Sequence, residues 1–154
     1  MARTITGSLT AGDHRFAIVA ARFNELFVDR LIQGAVDGLT RHGVDDDAID
    51  IVRVPGSLEI PITVQRLADQ GGHSAIICLG VVIRGATVHF EHVADGAANG
   101  IAQIALTHDI PVINGLIAAE TLEQAMERSG TKLGNKGFDA AMAAIEMANL
   151  LEQL

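Results

Sequence analysis

"SAIICLGVVI", residues 74–83, carries no charge and, after Ser74, no alternation of polar and apolar side chains. A strand wet on one side would alternate, because successive side chains point to opposite faces. An unbroken apolar run reads instead as a strand buried on both faces, the condition of a parallel sheet covered by helices on either side. The chain around it alternates accordingly. "RFAIVAARF" (15–23) is a short strand, and "VDRLIQGAVDGL" (28–39) follows with apolar residues at 28, 31, 32, 35, 36 and 39, the spacing of an amphipathic helix. Gly43 then suits a left-handed helix stop. "AIDIVRVPG" (48–56) is a second strand, and a helix from about Ser57 to Gln70 tolerates Pro61 in its first turn. Beyond residue 83, a helix from near Val88 carries Phe90, Val93, Ala97, Ile101 and Ile104 on one side. "IPVINGLI" (110–117) is a fourth strand, and helices fit 120–129 and 137–152 around the turn "SGTKLGNKG". This order predicts an α/β three-layer sandwich with a central four-stranded parallel sheet flanked by helices.

The chain has 154 residues, which suits one domain over 1–154, and its 49% apolar and 19% charged composition is that of a globular protein. A net charge of −8 argues against a general nucleic-acid or anionic-membrane surface, so any anionic ligand needs locally placed cations. The lone Cys78 has no disulfide partner and reads as a small buried hydrophobe. No apolar stretch approaches the ~20 residues of a membrane span, and "MARTITGSLT" lacks the apolar centre of a signal peptide. The expected location is the cytoplasm.

In such folds ligands bind outside the carboxyl ends of the strands. Four stretches sit there: "RFNE", "VPGSLE", "RGATVHFEH" and "NGLIAAET". In the third, Gly85 and Ala86 allow close backbone approach to an anion at a helix start, and Thr87 adds a hydroxyl. Arg84 is either a cation for that anion or a surface ion pair. His89 carries an imidazole, the natural proton carrier among side chains, against the alternative of an ordinary helix-surface histidine. His89 and His92 lack a second pair at ligand spacing, so no metal is expected. Phe23, in a chain with five Phe and no Trp or Tyr, is a ring for stacking on a flat heterocycle or a core residue. Asn24 suits a helix cap. Ser57 and Glu59 fit a polyhydroxyl ligand, or a cap and a helix-dipole partner. Arg128, Lys132 and Lys136 lie near two helix ends, where cations are favourable with or without a phosphate. Spacing alone reaches a planar, hydroxylated or phosphorylated small molecule.

Together, "ARFNE" (21–25), "VPGSLEIP" (54–61), "GVVIRGATVHFEHV" (80–93) and "TLEQAMERSGTKLGNKGFDAAMAAIEMANL" (121–150) resemble the 6,7-dimethyl-8-ribityllumazine synthase family, in order and over nearly the whole chain. The resemblance implies a flavodoxin-like fold and a transferase of riboflavin biosynthesis. It condenses 5-amino-6-(D-ribitylamino)uracil with 3,4-dihydroxy-2-butanone 4-phosphate to the lumazine, phosphate and water, with no cofactor. It implies that Phe23 stacks on the pyrimidine, and that Ser57, Leu58, Glu59, Val81, Val82 and Ile83 hold the ribitylaminouracil, with Lys136 near the ribityl chain. Ala86, Thr87 and Arg128 would hold the butanone phosphate, and His89 would shuttle protons.

One residue departs from the family's wording. Asn114 stands where an aromatic or other apolar side chain is usual, at a position contributed to the neighbour's site, with about 1.5–3 kcal/mol of burial at stake. The resemblance further implies homo-oligomers: a pentamer, a 60-subunit shell suggested by the short turn "GTKLGNKG", or a decamer, with riboflavin synthase as a partner. The apolar cover on the last helix (Met142, Ile145, Met147, Leu150, Leu151) exceeds what one monomer face needs. Two rival functions are a flavin- or nucleotide-binding module and a shell protein without turnover.

Overall fold

The computed structural model describes all residues except Thr87, Val88, Lys132 and Leu133. Strand β1 (Phe16–Ala21) leads into helix α1 (Glu25–Arg41), and β2 (Ile49–Val54) into α2 (Ile60–Gln70). Strand β3 (Ala75–Ile83) precedes α3 (His89–His108), and β4 (Val112–Ala119) precedes α4 (Leu122–Arg128) and α5 (Lys136–Glu152). The four strands form one sheet in the order β2-β1-β3-β4, every pair parallel. The expected three-layer α/β sandwich is therefore the observed one.

Burial explains the arrangement. All six residues of β1 are buried, as are the first seven of β3, so the two central strands have no wet face. Side chains at Phe16, Ile18, Ile77 and Leu79 enter one apolar cluster with α1 and α5, including Leu31, Leu39 and Ile145. Their neighbours Ala17, Val19, Ile76 and Cys78 enter a second cluster with α2 and α3, including Ile60, Val64, Ala97 and Ile101. The period-2 alternation is intact, but both faces are apolar because both are covered.

Local chemistry sets the helix ends. Helix α1 stops at His42, after which Gly43 takes φ 98°. The Val44 and Gly43 N–H groups bond back to the Leu39 and Thr40 carbonyls, closing the last turn as the glycine predicted. Pro61 lies in the first turn of α2. Asn135 caps α5, its Oδ1 accepting from the Gly137 and Phe138 N–H groups at 2.8 and 3.1 Å, while its Nδ2 donates to the Arg30 carbonyl. Helices α1 and α5 pack so closely there that a Cβ on Gly137 would collide with the Leu31 carbonyl oxygen.

The last helix is less bare than its sequence suggests. Ile145 belongs to the core, and the N-terminal segment of the same chain covers part of the rest. Asn149 Nδ2 donates to the Ser8 and Thr10 carbonyls, Gln153 Nε2 donates to the Thr6 carbonyl, and Gly7 sits against the α5 backbone at Glu146 and Leu150. Among the described residues no helix is long and apolar enough to cross a membrane.

At the amino end of the sheet, His73 Nε2 lies 2.7 Å from Asp50 Oδ2, and Arg15 Nη2 is 3.6 Å from the same oxygen. The hydrogen bond from His73, aided by its charge and that of Arg15, holds the Asp50 carboxyl below its ordinary value. A depressed carboxyl contributes stability above the ordinary value near 3.8 and loses it as pH falls through the folded value. Asp50 is half exposed, so screening limits the effect to about 0–1 kcal/mol. Urea unfolding should therefore show Asp50→Asn slightly less stable than the parent at pH 6–7, with the gap closing below about pH 4. A gap that widens on acidification would contradict this assignment.

The second prediction concerns packing. A Cβ at Gly80 would lie 2.6 Å from Ser57 Oγ and 3.0 Å from Leu116 Cδ2. Gly80→Ala should cost about 1–3 kcal/mol in the same experiment, because a filled core must shift to admit it.

Candidate active site

The strand order reverses beside β1: the chain first steps out to β2 and then crosses over to β3. Turns leaving β1 and β3 therefore diverge and leave a crevice at the carboxyl edge. A cavity of about 460 Å³ occupies it, within the range of small-molecule sites. Its walls come from the segment after β1 (Phe23, Asn24), the one after β2 (Pro55 to Glu59), the end of β3 (Val81 to Ile83, and Gly85), and the first turns of α3 (His89, Phe90, Val93).

Each wall has a structural cause. After β1 the backbone stays tied to β2, with Arg22 N–H donating to the Val54 carbonyl at 2.7 Å and Phe23 N–H to the Pro55 carbonyl at 3.0 Å. This tie leaves the Phe23 ring 73% exposed, so Phe23 is not a core residue. Asn24 then turns the chain at φ 61°, ψ 41°, a left-handed conformation that asparagine tolerates better than most residues. The side-chain cap on α1 that its residue type suggests does not form. Its Nδ2 instead donates to the Val81 carbonyl at 2.7 Å and joins the β1 turn to the end of β3.

The segment after β2 forms a single 3-10 turn, Ser57–Glu59, entered from an extended Gly56 and without a side-chain cap. Ser57 is 6% exposed because Gly80 lets its hydroxyl come in against β3. Leu58 and Glu59 are exposed to the cavity side of this turn. Ser57 makes no side-chain cap, while Glu59 is the acid in the first turn of this segment, as a dipole partner would be, and both also line the cavity. His89 opens α3 and lines the cavity.

Arg84 is engaged within its own chain. Its Nη2 donates to Glu91 Oε1 at 2.9 Å and its Nε is 2.6 Å from Glu120 Oε2. Those carboxylates raise the guanidinium pKa, the Glu91 hydrogen bond most. Of the two readings of Arg84, the structure shows the ion pair.

The cavity thus gathers Phe23, Ser57, Leu58, Glu59, Val81, Val82, Ile83 and His89, which the sequence proposed, from three separate strand ends. Ala86 is exposed in the turn between Gly85 and α3, without lining the cavity, and Thr87 lies outside the described residues. Asn114, Arg128 and Lys136 line none of it. Asn114 is exposed on β4, where its Oδ1 accepts from the Leu116 N–H at 2.9 Å. Arg128 ends α4 and Lys136 begins α5. A bridge between Ser129 and Asn135 closes the turn that separates them; Lys132, in that turn, lies outside the described residues.

Sequence reasoning missed the wall contributions of Asn24, Phe90 and Val93. The signal for Asn24 was its identity, an asparagine in the three-residue connection between β1 and α1, a residue type that tolerates left-handed backbone. Phe90 and Val93 had been assigned to the core side of α3. Phe90 is indeed 8% exposed, and it also forms part of the wall. Among the described residues, no group of three or more His, Cys, Asp or Glu side chains is placed to hold a metal ion.

The arrangement offers an aromatic face, a polar turn, an apolar strand end and an imidazole around one crevice, a set suited to a flat, hydroxylated substrate that exchanges protons. Residues 13–152 match the sequence model of 6,7-dimethyl-8-ribityllumazine synthase, spanning every strand and helix described above, and the chain belongs to that family.

Proposed function

We propose that the crevice between the ends of β1 and β3 is where the family's two substrates are brought together. The chain is a transferase that condenses 5-amino-6-(D-ribitylamino)uracil with 3,4-dihydroxy-2-butanone 4-phosphate, giving 6,7-dimethyl-8-ribityllumazine, phosphate and water in riboflavin biosynthesis. The observation that carries the site assignment is the convergence of Phe23, the 57–59 turn, the end of β3 and His89 on one cavity.

The roles follow from chemistry. The exposed Phe23 ring is available to stack on the pyrimidine. The 57–59 turn faces the ribitylaminouracil with a hydroxyl and a carboxylate, and Val81 to Ile83 offer it an apolar edge with strand-end backbone groups. The primary amine attacks the ketone and a first water leaves as the imine forms. Loss of a proton from the neighbouring carbon expels phosphate and leaves an enol that becomes a second carbonyl. The ribitylamino nitrogen adds to that carbonyl and expels a second water as the ring closes. Each stage moves a proton, and this reading gives that task to His89, which begins α3 and lines the cavity. Holding two reactants side by side contributes up to roughly 7–11 kcal/mol in well-oriented cases.

The butanone phosphate is seated by Ala86, Thr87 and the helix start beyond them, with Arg128 as its cation. Arg128, Lys136 and Asn114 line no part of their own chain's cavity, so in this reading an adjacent subunit supplies them. Oligomerisation goes with the family in general. The proposed assembly is a homopentamer with sites between neighbours, and twelve pentamers closing into a 60-subunit shell is the larger form, with riboflavin synthase as a partner and the cytoplasm as its location. In that setting Asn114 presents an amide where an apolar side chain would otherwise meet the pyrimidine.

The primary test mixes both substrates with protein and follows lumazine absorbance and phosphate release; no acceleration of either over a protein-free control would overturn the reading. Within it, His89→Ala should lower kcat by about 10²-fold, the low end for a general acid–base group because an exposed imidazole competes with water. Both KM values should stay within a few-fold, and an unchanged kcat would remove His89 from the reaction. Arg128→Ala should raise the KM for the butanone phosphate by about 10–100-fold, the loss of a charge-assisted hydrogen bond, while the KM for the pyrimidine holds. An unaltered dependence on the phosphate substrate would make Arg128 structural.

A further inference from the structure

Two acids share a cation that directly precedes, in sequence, the stretch to which the phosphate seat is assigned above. Glu91 is in the first turn of α3, two residues past His89, and Glu120 follows the end of β4. Arg84 immediately precedes the seat and reaches both, with Nη2 2.9 Å from Glu91 Oε1 and Nε 2.6 Å from Glu120 Oε2. Its position is held on further sides. The backbone N–H of Arg84 donates to the Ala119 carbonyl at 2.9 Å, extending the β3–β4 ladder by one bond. The guanidinium carbon lies 5.2 Å from the centroid of the Phe90 ring, a cavity wall. Glu120 is fixed in turn, since its N–H donates to the Gln124 side chain at 2.8 Å.

A protein of net charge −8 that takes a phosphorylated substrate must not leave two carboxylates uncompensated at the anion's entrance. Like charges a few residues apart disfavour an incoming dianion by an amount that solvent weakens but does not abolish. Both Glu side chains are more than half exposed, so their field reaches the solvent from which the substrate arrives. Arg84 is the cation nearest in sequence, and its fork is turned to the carboxylates.

We propose that Arg84 is a positioning residue for the phosphate-bearing substrate: shared between Glu91 and Glu120, it offsets one of their two negative charges and so keeps the proposed phosphate seat receptive to an anion that it does not itself bind. This rests on the phosphate seat assigned under Proposed function. It separates three roles that a single substitution would confuse, namely charge compensation, direct phosphate contact and a purely structural clasp.

The experiment compares the parent, Arg84→Gln, Arg84→Lys, the double Glu91→Gln/Glu120→Gln variant and the triple variant that combines it with Arg84→Gln, each in its assembled state. Two quantities are read: KM and kcat for each substrate, and the Kd of inorganic phosphate by calorimetry. Arg84→Gln should raise the KM for the butanone phosphate and the phosphate Kd by about tenfold at low ionic strength, and less in 0.5 M salt. The pyrimidine KM and kcat should stay within about twofold. Arg84→Lys keeps the charge and should stay near the parent. The triple variant, with cation and both acids gone, should return toward the parent.

A triple variant as impaired as Arg84→Gln overturns the proposal in favour of contact or clasp. Equal loss in both substrates or in kcat does the same. Should Arg84→Gln not fold, the double variant decides: removing the acids while Arg84 remains should tighten phosphate binding, and unchanged or weaker binding overturns the proposal. If the parent makes no lumazine, the function fails while the phosphate Kd series still judges Arg84. If the parent binds no inorganic phosphate, the seat and the proposal fall together.

Discussion

Everything in this molecule follows from two strands that cannot touch water. β1 and β3 lie side by side at the centre of the sheet, buried on both faces by helices from opposite layers. Such a strand carries no side chain for chemistry along its length, since any polar group there would need a buried partner. Function is pushed to where the strands end. Because β2 lies to one side of β1 and β3 to the other, the ends of the two central strands are the one place where departing turns separate and leave room.

That crevice would be loose if its walls were independent turns. They are not. Asn24 bridges the first turn to Val81, the Arg22 and Phe23 N–H groups bond the same turn to the end of β2, and Gly80 admits Ser57 against β3. Each link is made by backbone or by a short side chain, so little freedom remains in the parts that would position a substrate. The Phe23 ring, by contrast, makes no such link and is the most exposed part of the wall among the large hydrophobic residues. A rigid frame with one accessible aromatic face favours capture of a flat ring without rebuilding the site.

Much of this was legible in the sequence because the signals were redundant. An unbroken apolar run at 74–83 implies a doubly covered strand, alternation with amphipathic helices implies parallel neighbours, and the carboxyl-end rule then selects the turns to inspect. Phe23, Ser57, Glu59 and His89, singled out from those turns, line one cavity, and so do Leu58, Val81, Val82 and Ile83, which the family resemblance added. What failed was of another kind. Asn24 looked like a cap because asparagine favours caps, but its left-handed backbone sends the amide across to another strand, and long-range hydrogen bonds leave no periodic trace. The chain's own residues 6–10, which reach Asn149 and Gln153 of α5, have no pattern in the sequence that announces where they lie. Asn114 came from wording shared with a family, whereas Arg128 and Lys136 also stood out as cations near two helix ends; their place outside this chain's cavity could not be read from spacing, which carries no long-range geometry.

The acidity of the chain, which seemed at first to argue against an anionic ligand, takes a different meaning beside Arg84. Net charge acts over a Debye length of roughly 8–10 Å in salt, so a distant surplus of carboxylates matters little to a phosphate already in the crevice. Carboxylates within a turn or two of the seat matter much more, and Glu91 and Glu120 are the acids at that range that share a cation. With the Arg84 fork divided between them, the local sum falls from two negative charges to one. An acidic protein can then select a phosphorylated substrate without a broadly basic surface, and so without attracting nucleic acid. A cation that touches no substrate and two acids that contact neither reactant would together set which anion is admitted.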